Sequence, residues 1–161
     1  MNTKINTKRK RVKFASDNVT GACPEVLEAV IKANDGIVPP YGNDEISGVL
    51  QEKFSKIFEK DVIVYPTASG TASNALALSA ISPSFGNIYC HKFSHINVDE
   101  CGAPEFYTGG AKLVPLNGED GKITTEELKN SIGGFGIVHH TQPSIVSITQ
   151  ATETGEVYTL E

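Results

Sequence analysis

The sequence predicts an α/β fold built on a largely parallel sheet, and three observations carry that prediction. Short apolar, β-branched runs at residues 61–65, 87–91, 111–116, 136–140 and 144–148 read as strands. Stretches with helical spacing of apolar residues, or rich in Ala and Leu, alternate with these runs along the chain, the pattern of strands joined by crossover helices. No internal repeat and no low-complexity segment interrupts the alternation.

In chain order, Val12 to Phe14 leads into Ser16-Asp17-Asn18-Val19-Thr20-Gly21, a polar, turn-forming stretch. Pro24 opens a helix with Glu25 in its first turn, where the helix dipole favours an acid, and Val26, Leu27, Val30 and Ile31 form its apolar face. Val38-Pro39-Pro40-Tyr41-Gly42 cannot be helical, because each proline restricts itself and its predecessor. Asn43 or Asp44 caps the next helix, whose stripe of Ile46, Val49, Leu50, Phe54, Ile57 and Phe58 reads as core packing. The strand at 61–65 runs into Pro66-Thr67-Ala68-Ser69-Gly70-Thr71, and a helix follows over 75–81. The strand at 87–91 has Phe93-Ser94-His95-Ile96-Asn97 at its far end, and Gly109-Gly110 turns the chain into the strand at 111–116. Asn117-Gly118 and Asp120-Gly121 are turn signals. Thr124 or Thr125 caps a short helix over Glu126-Glu127-Leu128, and the strands at 136–140 and 144–148 close the pattern.

Composition bounds the function. The 161 residues allow one domain or part of a larger one; 39% are hydrophobic, and no apolar run is long enough to span a bilayer. The net charge of −5 is unevenly spread. Residues 1–13 hold six basic residues (Lys4, Lys8, Arg9, Lys10, Arg11, Lys13) and no acid, which leaves 8 basic and 19 acidic residues, a net of −11, in 14–161. The expectation is a basic, disordered lead-in over 1–13 and a folded domain over 14–161. The acidic body argues against nucleic acid as the main partner, and the lead-in lacks the apolar stretch of a membrane signal. Cys23, Cys90 and Cys101 are odd in number and unpaired in spacing, which fits a reducing cytoplasm. Cys90, His91, His95 and Cys101 raise the idea of zinc, but adjacent strand residues point to opposite faces, so no metal is expected.

Ser69-Gly70-Thr71 carries the functional reading. It sits where a strand gives way to a helix, so unpaired N–H groups and the positive end of the dipole meet two hydroxyls and a glycine. That combination suits a phosphate. A simple helix cap by Ser69 or Thr71 is the plainer reading of the triplet alone. In parallel sheets, ligands bind beyond the carboxyl ends of strands, and Ser69-Gly70-Thr71, His95 and His139 all fall at or just past predicted strand ends.

Ser16-Asp17-Asn18-Val19-Thr20, Tyr41-Gly42-Asn43-Asp44, Ser69-Gly70-Thr71, and Ser94-His95-Ile96 followed by Glu100-Cys101-Gly102-Ala103 come in an order that resembles the threonine aldolases. These belong to the β-eliminating lyase group of fold-type-I pyridoxal-phosphate (PLP) enzymes, and the resemblance runs from about Phe14 to the end of the chain. It implies a three-layer α/β/α arrangement, here an incomplete large domain of the aspartate aminotransferase type. It implies that Ser69, Gly70 and Thr71 hold the phosphate of PLP and that His95 stacks on its pyridine ring. Ser16 matches a serine that contacts the substrate carboxylate. Tyr41 matches a tyrosine that a neighbouring subunit lends in dimers and tetramers. By register His139 matches a histidine near the substrate hydroxyl, with His140 as its competitor. Glu100 falls at a family position without an assigned role, and surface ion pairing is its plain reading.

The chemistry the resemblance implies is cleavage of a β-hydroxy-α-amino acid to glycine and an aldehyde, with His95 or His139 as the base for the hydroxyl proton. Two departures qualify it. Family members commonly carry Glu-Asn-Thr-His where this chain has Thr149-Gln150-Ala151-Thr152, which leaves the substrate side chain open, with a related β-hydroxy amino acid or a β-elimination as other outcomes. The family's PLP-anchoring lysine, its pyridine-pairing aspartate and its small C-terminal domain lie beyond Glu161, and Lys112, Lys122 and Lys129 have no matching context. The expectation is a half-enzyme, inactive alone, that forms a homodimer or homotetramer and takes a separate C-terminal half as partner. A fragment of another fold-type-I lyase or transaminase, and a non-catalytic assembly protein derived from the fold, are the alternatives.

Overall fold

The computed structural model describes residues 19–160, which fall in two compact units divided between Val64 and Tyr65. The basic lead-in at 1–13 lies outside the described residues.

The first unit holds two helices. Helix α1 (Pro24–Ala33) starts on its proline, with Glu25 in the first turn and Lys32 in the last, as the dipole prefers. Helix α2 (Glu45–Ile57) is capped by Asp44 rather than Asn43. Asp44 Oδ1 accepts from the Ser47 amide at 2.9 Å and Oδ2 from the Ser47 hydroxyl at 2.6 Å; these bonds to the charged form hold the carboxyl below its ordinary range. Residues 38–42 are non-helical, with Tyr41 and Gly42 at φ 63 and 77.

The strand expected at 61–65 does not form. Val64 instead gives its N–H to Gln51 Oε1 at 2.9 Å and its carbonyl accepts from Gln51 Nε2 at 3.1 Å, while the Val62 N–H meets Ser55 Oγ at 3.2 Å. Side chains of α2 thus take the backbone groups that a neighbouring strand would take. β-Branched composition supplied the propensity, but no strand among the described residues pairs with it.

The second unit holds a parallel sheet of order β2-β1-β3, formed by β1 (Gly86–His91), β2 (Lys112–Leu116) and β3 (Gln142–Val146). Strand β1 is central, and Ile88, Tyr89, Cys90 and His91 are all buried, so both faces of the sheet are covered. Helix α3 (Gly70–Ile81) sets Leu78 against Ile88 and Cys90, together with Ile96 and Ala111. On the opposite face, Tyr89 and Val114 share a pocket with Ser131, the last residue of helix α6 (Thr125–Ser131). The result is the three-layer α/β/α arrangement. The flanking strands each carry a proline, Pro115 and Pro143, where a missing N–H is tolerated.

Two short helices follow β1, α4 (His95–Val98) and α5 (Ala103–Tyr107). Thr124, not Thr125, caps α6 in a reciprocal capping box with Glu127. The strand expected at 136–140 is a pair of turns, and the one expected at 144–148 starts two residues earlier, as β3. Gly134 and Gly136 take φ 79 and 69, outside strand geometry. The Gln142 side chain then satisfies the turn: Nε2 donates to the carbonyls of Gly134, Ile137 and His140, and Oε1 accepts from the Gly136 N–H.

Candidate active site

The site is built where α3 begins. Ser69 caps the helix, its Oγ accepting from the Ala72 N–H at 3.2 Å, so the plainer of the two sequence readings holds. Capping leaves the rest of the anion-binding apparatus in place. The N–H groups of Gly70 and Thr71 precede Ser73, whose N–H is the first to donate within the helix, to the Ser69 carbonyl at 3.1 Å, and have no partner inside the helix. The Ser69 hydroxyl can still donate its own hydrogen while it accepts from Ala72. A side chain added at Gly70 would meet nothing within 4 Å, so the approach to these donors is open. Ser69, Thr71, Ala72 and Leu76 of this turn and helix line an open cavity of 470 Å³ with Ala103 and Tyr107 of α5.

His95 opens α4, just past the carboxyl end of β1, with 46% of its side chain exposed. Its Nδ1 lies 2.8 Å from Glu100 Oε1, and the same oxygen accepts from Asn74 Nδ2 at 2.6 Å. Asn74 stands one helical turn beyond Gly70 on α3. Glu100 thereby joins the start of α3 to His95, which puts both at the carboxyl end of β1. The hydrogen bond to Glu100 raises the His95 pKa above its ordinary value; the charges of Glu100, Glu153 and Asp99 act in the same sense, and partial burial opposes them.

Glu100 is not the surface ion-pairing residue its sequence context offers: its side chain is fully buried. Cys101 and Gly102, at φ 52 and 74, turn the chain sharply between α4 and α5 and set Glu100 inward. The left-handed conformation costs a non-glycine residue such as Cys101 about 1–2 kcal/mol, so the surroundings must hold it there. Sequence reasoning missed Asn74 and gave Glu100 a family position without a role. The signal was an acid five positions after His95, across a helix of a single turn.

The other named residues are not gathered with these. His139 and His140 lie in turns before β3, and Gln142 pairs with Gly86, so both histidines flank the amino ends of the strands. His139 and His95 are thus set apart by the six residues of β1, roughly 20 Å at ~3.3 Å each. This corrects the placement of His139 just past a strand end: the strand it was assigned to is the pair of turns held by Gln142. Tyr41 belongs to the first unit and is 97% exposed. Ser16 lies outside the described residues. His91 is buried with both ring nitrogens engaged, Nε2 with the Gly118 carbonyl at 3.1 Å and Nδ1 with the Phe93 N–H at 3.2 Å. An accepting Nδ1 fixes the neutral ring with its proton on Nε2. Burial pushes the Cys90 thiol up, away from the reactive thiolate.

The family model for beta-eliminating lyases matches residues 13–161. A low specificity L-threonine aldolase of a Pseudomonas species is 42% identical over 145 residues, which are 90% of this chain and 42% of that protein. The low specificity L-threonine aldolase of Pseudomonas aeruginosa is 40% identical with the same coverage. Among solved structures, a Leishmania major threonine aldolase superposes with a TM-score of 0.78 at 24% identity, over 87% of this chain and 41% of its own. The chain therefore spans under half the length of these relatives. The match over nearly its whole extent shows that the chain belongs to the beta-eliminating lyase family.

Proposed function

We propose that this chain supplies the phosphate-binding turn and the ring-facing histidine of a PLP-dependent aldolase that cleaves a threonine-like β-hydroxy-α-amino acid to glycine and an aldehyde. The observation that carries the reading is the Asn74–Glu100–His95 link, which sets a histidine with an exposed ring beside the open N-terminus of α3. The names of the two Pseudomonas relatives support the reaction class.

The residues present fit the cofactor. Two free N–H groups and the hydroxyls of Ser69 and Thr71 face open space at the positive end of a 12-residue helix, which suits a phosphate dianion. The half-exposed imidazole of His95 offers a flat face to an aromatic ring. When bound, PLP supplies the electron sink for the carbanion left at Cα. The chain's own part is to anchor the phosphate, orient the ring and move one proton. Since Nδ1 of His95 is held by Glu100, Nε2 is the atom that takes the substrate hydroxyl proton, a step worth roughly 10²–10⁴ in rate. His139, at the far end of β1, is not assigned that step within one chain.

The chain alone is proposed to be inactive. Lys112 is exposed at the amino end of β2, Lys129 is exposed on α6, and Lys122 faces Glu156 at 3.9 Å, so none is aimed at the turn before α3. The partners in this reading are a second copy of the chain, which would receive Tyr41, and a separate C-terminal half carrying the cofactor lysine. Three free cysteines agree with a cytoplasmic setting.

Calorimetric titration tests the phosphate site. PLP and inorganic phosphate should compete, pyridoxal without the phosphate should not bind, and replacing Ser69→Ala with Thr71→Val should weaken PLP by about tenfold or more, the loss of one or two bonds to a charged group. Equal binding of pyridoxal and PLP, or full affinity in the double variant, would remove this reading.

A further inference from the structure

We infer that Glu100 and Asn74 are positioning residues for His95: one buried carboxylate oxygen takes the imidazole Nδ1–H and the Asn74 amide together, fixing the ring to α3 with Nε2 directed outward. The inference deepens the aldolase reading, since it gives His95 its orientation, but it rests on contacts that exist without cofactor or substrate.

The chemistry of Glu100 leaves few other roles. Its side chain is wholly buried, and a buried carboxylate needs donors or a counter-charge. Both donors go to Oε1, at 2.6 Å from Asn74 and 2.8 Å from His95, while Oε2 is buried with no hydrogen-bond partner. Asn74 carries no charge, so the imidazole is the one cationic partner among these contacts. A proton on Nδ1 therefore serves two groups: it completes the acceptor and balances the acid. An Nδ1-protonated ring has its lone pair, or its second N–H, on Nε2, and nearly half of the side chain is exposed. The amide fixes the other side of the arrangement, because Asn74 belongs to the same helix as Gly70 and Thr71. Rotation of His95 is thus referenced to the turn that would hold the phosphate. His91 shows the opposite choice a few residues earlier, with its proton on Nε2 and an accepting Nδ1.

Two NMR measurements on the 161-residue chain test this without any activity assay. The first uses the unaltered protein at alkaline pH, where long-range 15N shifts report which nitrogen of each neutral histidine keeps its proton. His95, assigned by the signal lost in His95→Asn, should be the Nδ1–H tautomer, while His91 should be Nε2–H. An Nε2–H tautomer for His95 overturns the inference. The second follows the His95 Cε1–H signal through pH in Glu100→Gln and Asn74→Ala. Gln keeps the shape of the acid but removes its charge, so the His95 midpoint should move down towards the ordinary ~6.5 despite the remaining carboxylates of Asp99 and Glu153. Asn74→Ala keeps the charge, so the midpoint should stay raised while the ring signal broadens or averages from lost orientation. A midpoint unmoved in Glu100→Gln also overturns the inference. Should PLP fail to bind while both NMR results hold, the aldolase reading fails and the positioning of His95 stands.

Discussion

His91 and His95 stand four residues apart, yet what their ring nitrogens meet sets them to different tasks. His91 spends both nitrogens on backbone groups in a buried position, so it is a structural strut that holds the turn after β2 against β1. His95 meets an acid, and that contact favours its protonated form. The sign of the pH effect follows. The folded-state pKa of His95 is raised, so its contribution to stability is fully present below the unfolded value of about 6.5 and is lost as pH rises through the folded value. Urea unfolding of the chain and of His95→Asn, compared from pH 5.5 to 9, should show a gap in midpoint that is widest at the acid end and closes towards the alkaline end. The gap should be small, because nearly half of the side chain is in water. A gap that stays constant across the range contradicts the ion pair. The places of Ser69 at the start of a helix and of His95 past the end of a strand were legible in the sequence because they follow from local composition. Glu100 and Asn74 were not, because an acid becomes a buried partner only when two left-handed residues, Cys101 and Gly102, fold it inward.

At the scale of elements, the caps and the central strand carry most of what the sequence could say. Pro24, Asp44, Ser69 and Thr124 each open a helix at or near the expected residue, since capping depends on neighbours within four positions. Strands depend on partners far along the chain, and there the reading failed twice. Residues 61–65 and 136–140 are more β-branched than β1, but Gln51 with Ser55 and Gln142 capture their backbone groups or those of the turns around them. Replacing Gln142→Leu should therefore release the turns at 134–140 rather than unfold the sheet. Amide exchange at Gly136 should accelerate, and the loss should be on the order of 1–3 kcal/mol, since several modest hydrogen bonds are shared with solvent. Ile88→Ala makes the contrasting case. Ile88 is fully buried between Leu78, Ile96 and Ala111, so truncation should cost about 2–5 kcal/mol in a denaturation curve and release the whole second unit together. A cost below 1 kcal/mol would mean that β1 is not the centre of the core.

At the scale of the whole molecule, each unit exposes many large apolar side chains. In α1, Val26, Leu27, Val30 and Ile31 are each at least half exposed, and in and after α2 Ile46, Ile57 and Phe58 are as well, so the α2 stripe that reads as core packing in the sequence is not buried within this chain. Exposed apolar faces on helices mark contacts with other chains where they merge into patches, so sedimentation should show a dimer, a larger assembly or aggregation. A stable, monodisperse monomer would argue against a shared site. Catalysis sets a separate requirement. Carbon–carbon cleavage in this reading requires an amine held neutral over the cofactor aldehyde, and a site achieves that by burying a lysine or setting it beside other charges. Lys112 and Lys129 are exposed and Lys122 leans towards Glu156, so no lysine in the second unit after His95 is held in that way. Phosphate affinity at Ser69-Gly70-Thr71 needs only the turn and the start of α3, and it should survive as weak, salt-sensitive binding. The two properties therefore separate in one experiment. The purified chain is mixed with PLP and reduced with borohydride, and pyridoxyl-lysine is mapped by mass spectrometry while glycine release from threonine is assayed. Scattered, substoichiometric labelling without glycine is the expected outcome for the chain alone. Adding a separately produced C-terminal half of one of the Pseudomonas relatives should bring both stoichiometric labelling of a lysine in that half and glycine release. One lysine of this chain labelled stoichiometrically, with glycine formed in the absence of any partner, would show instead that these 161 residues complete the site by themselves.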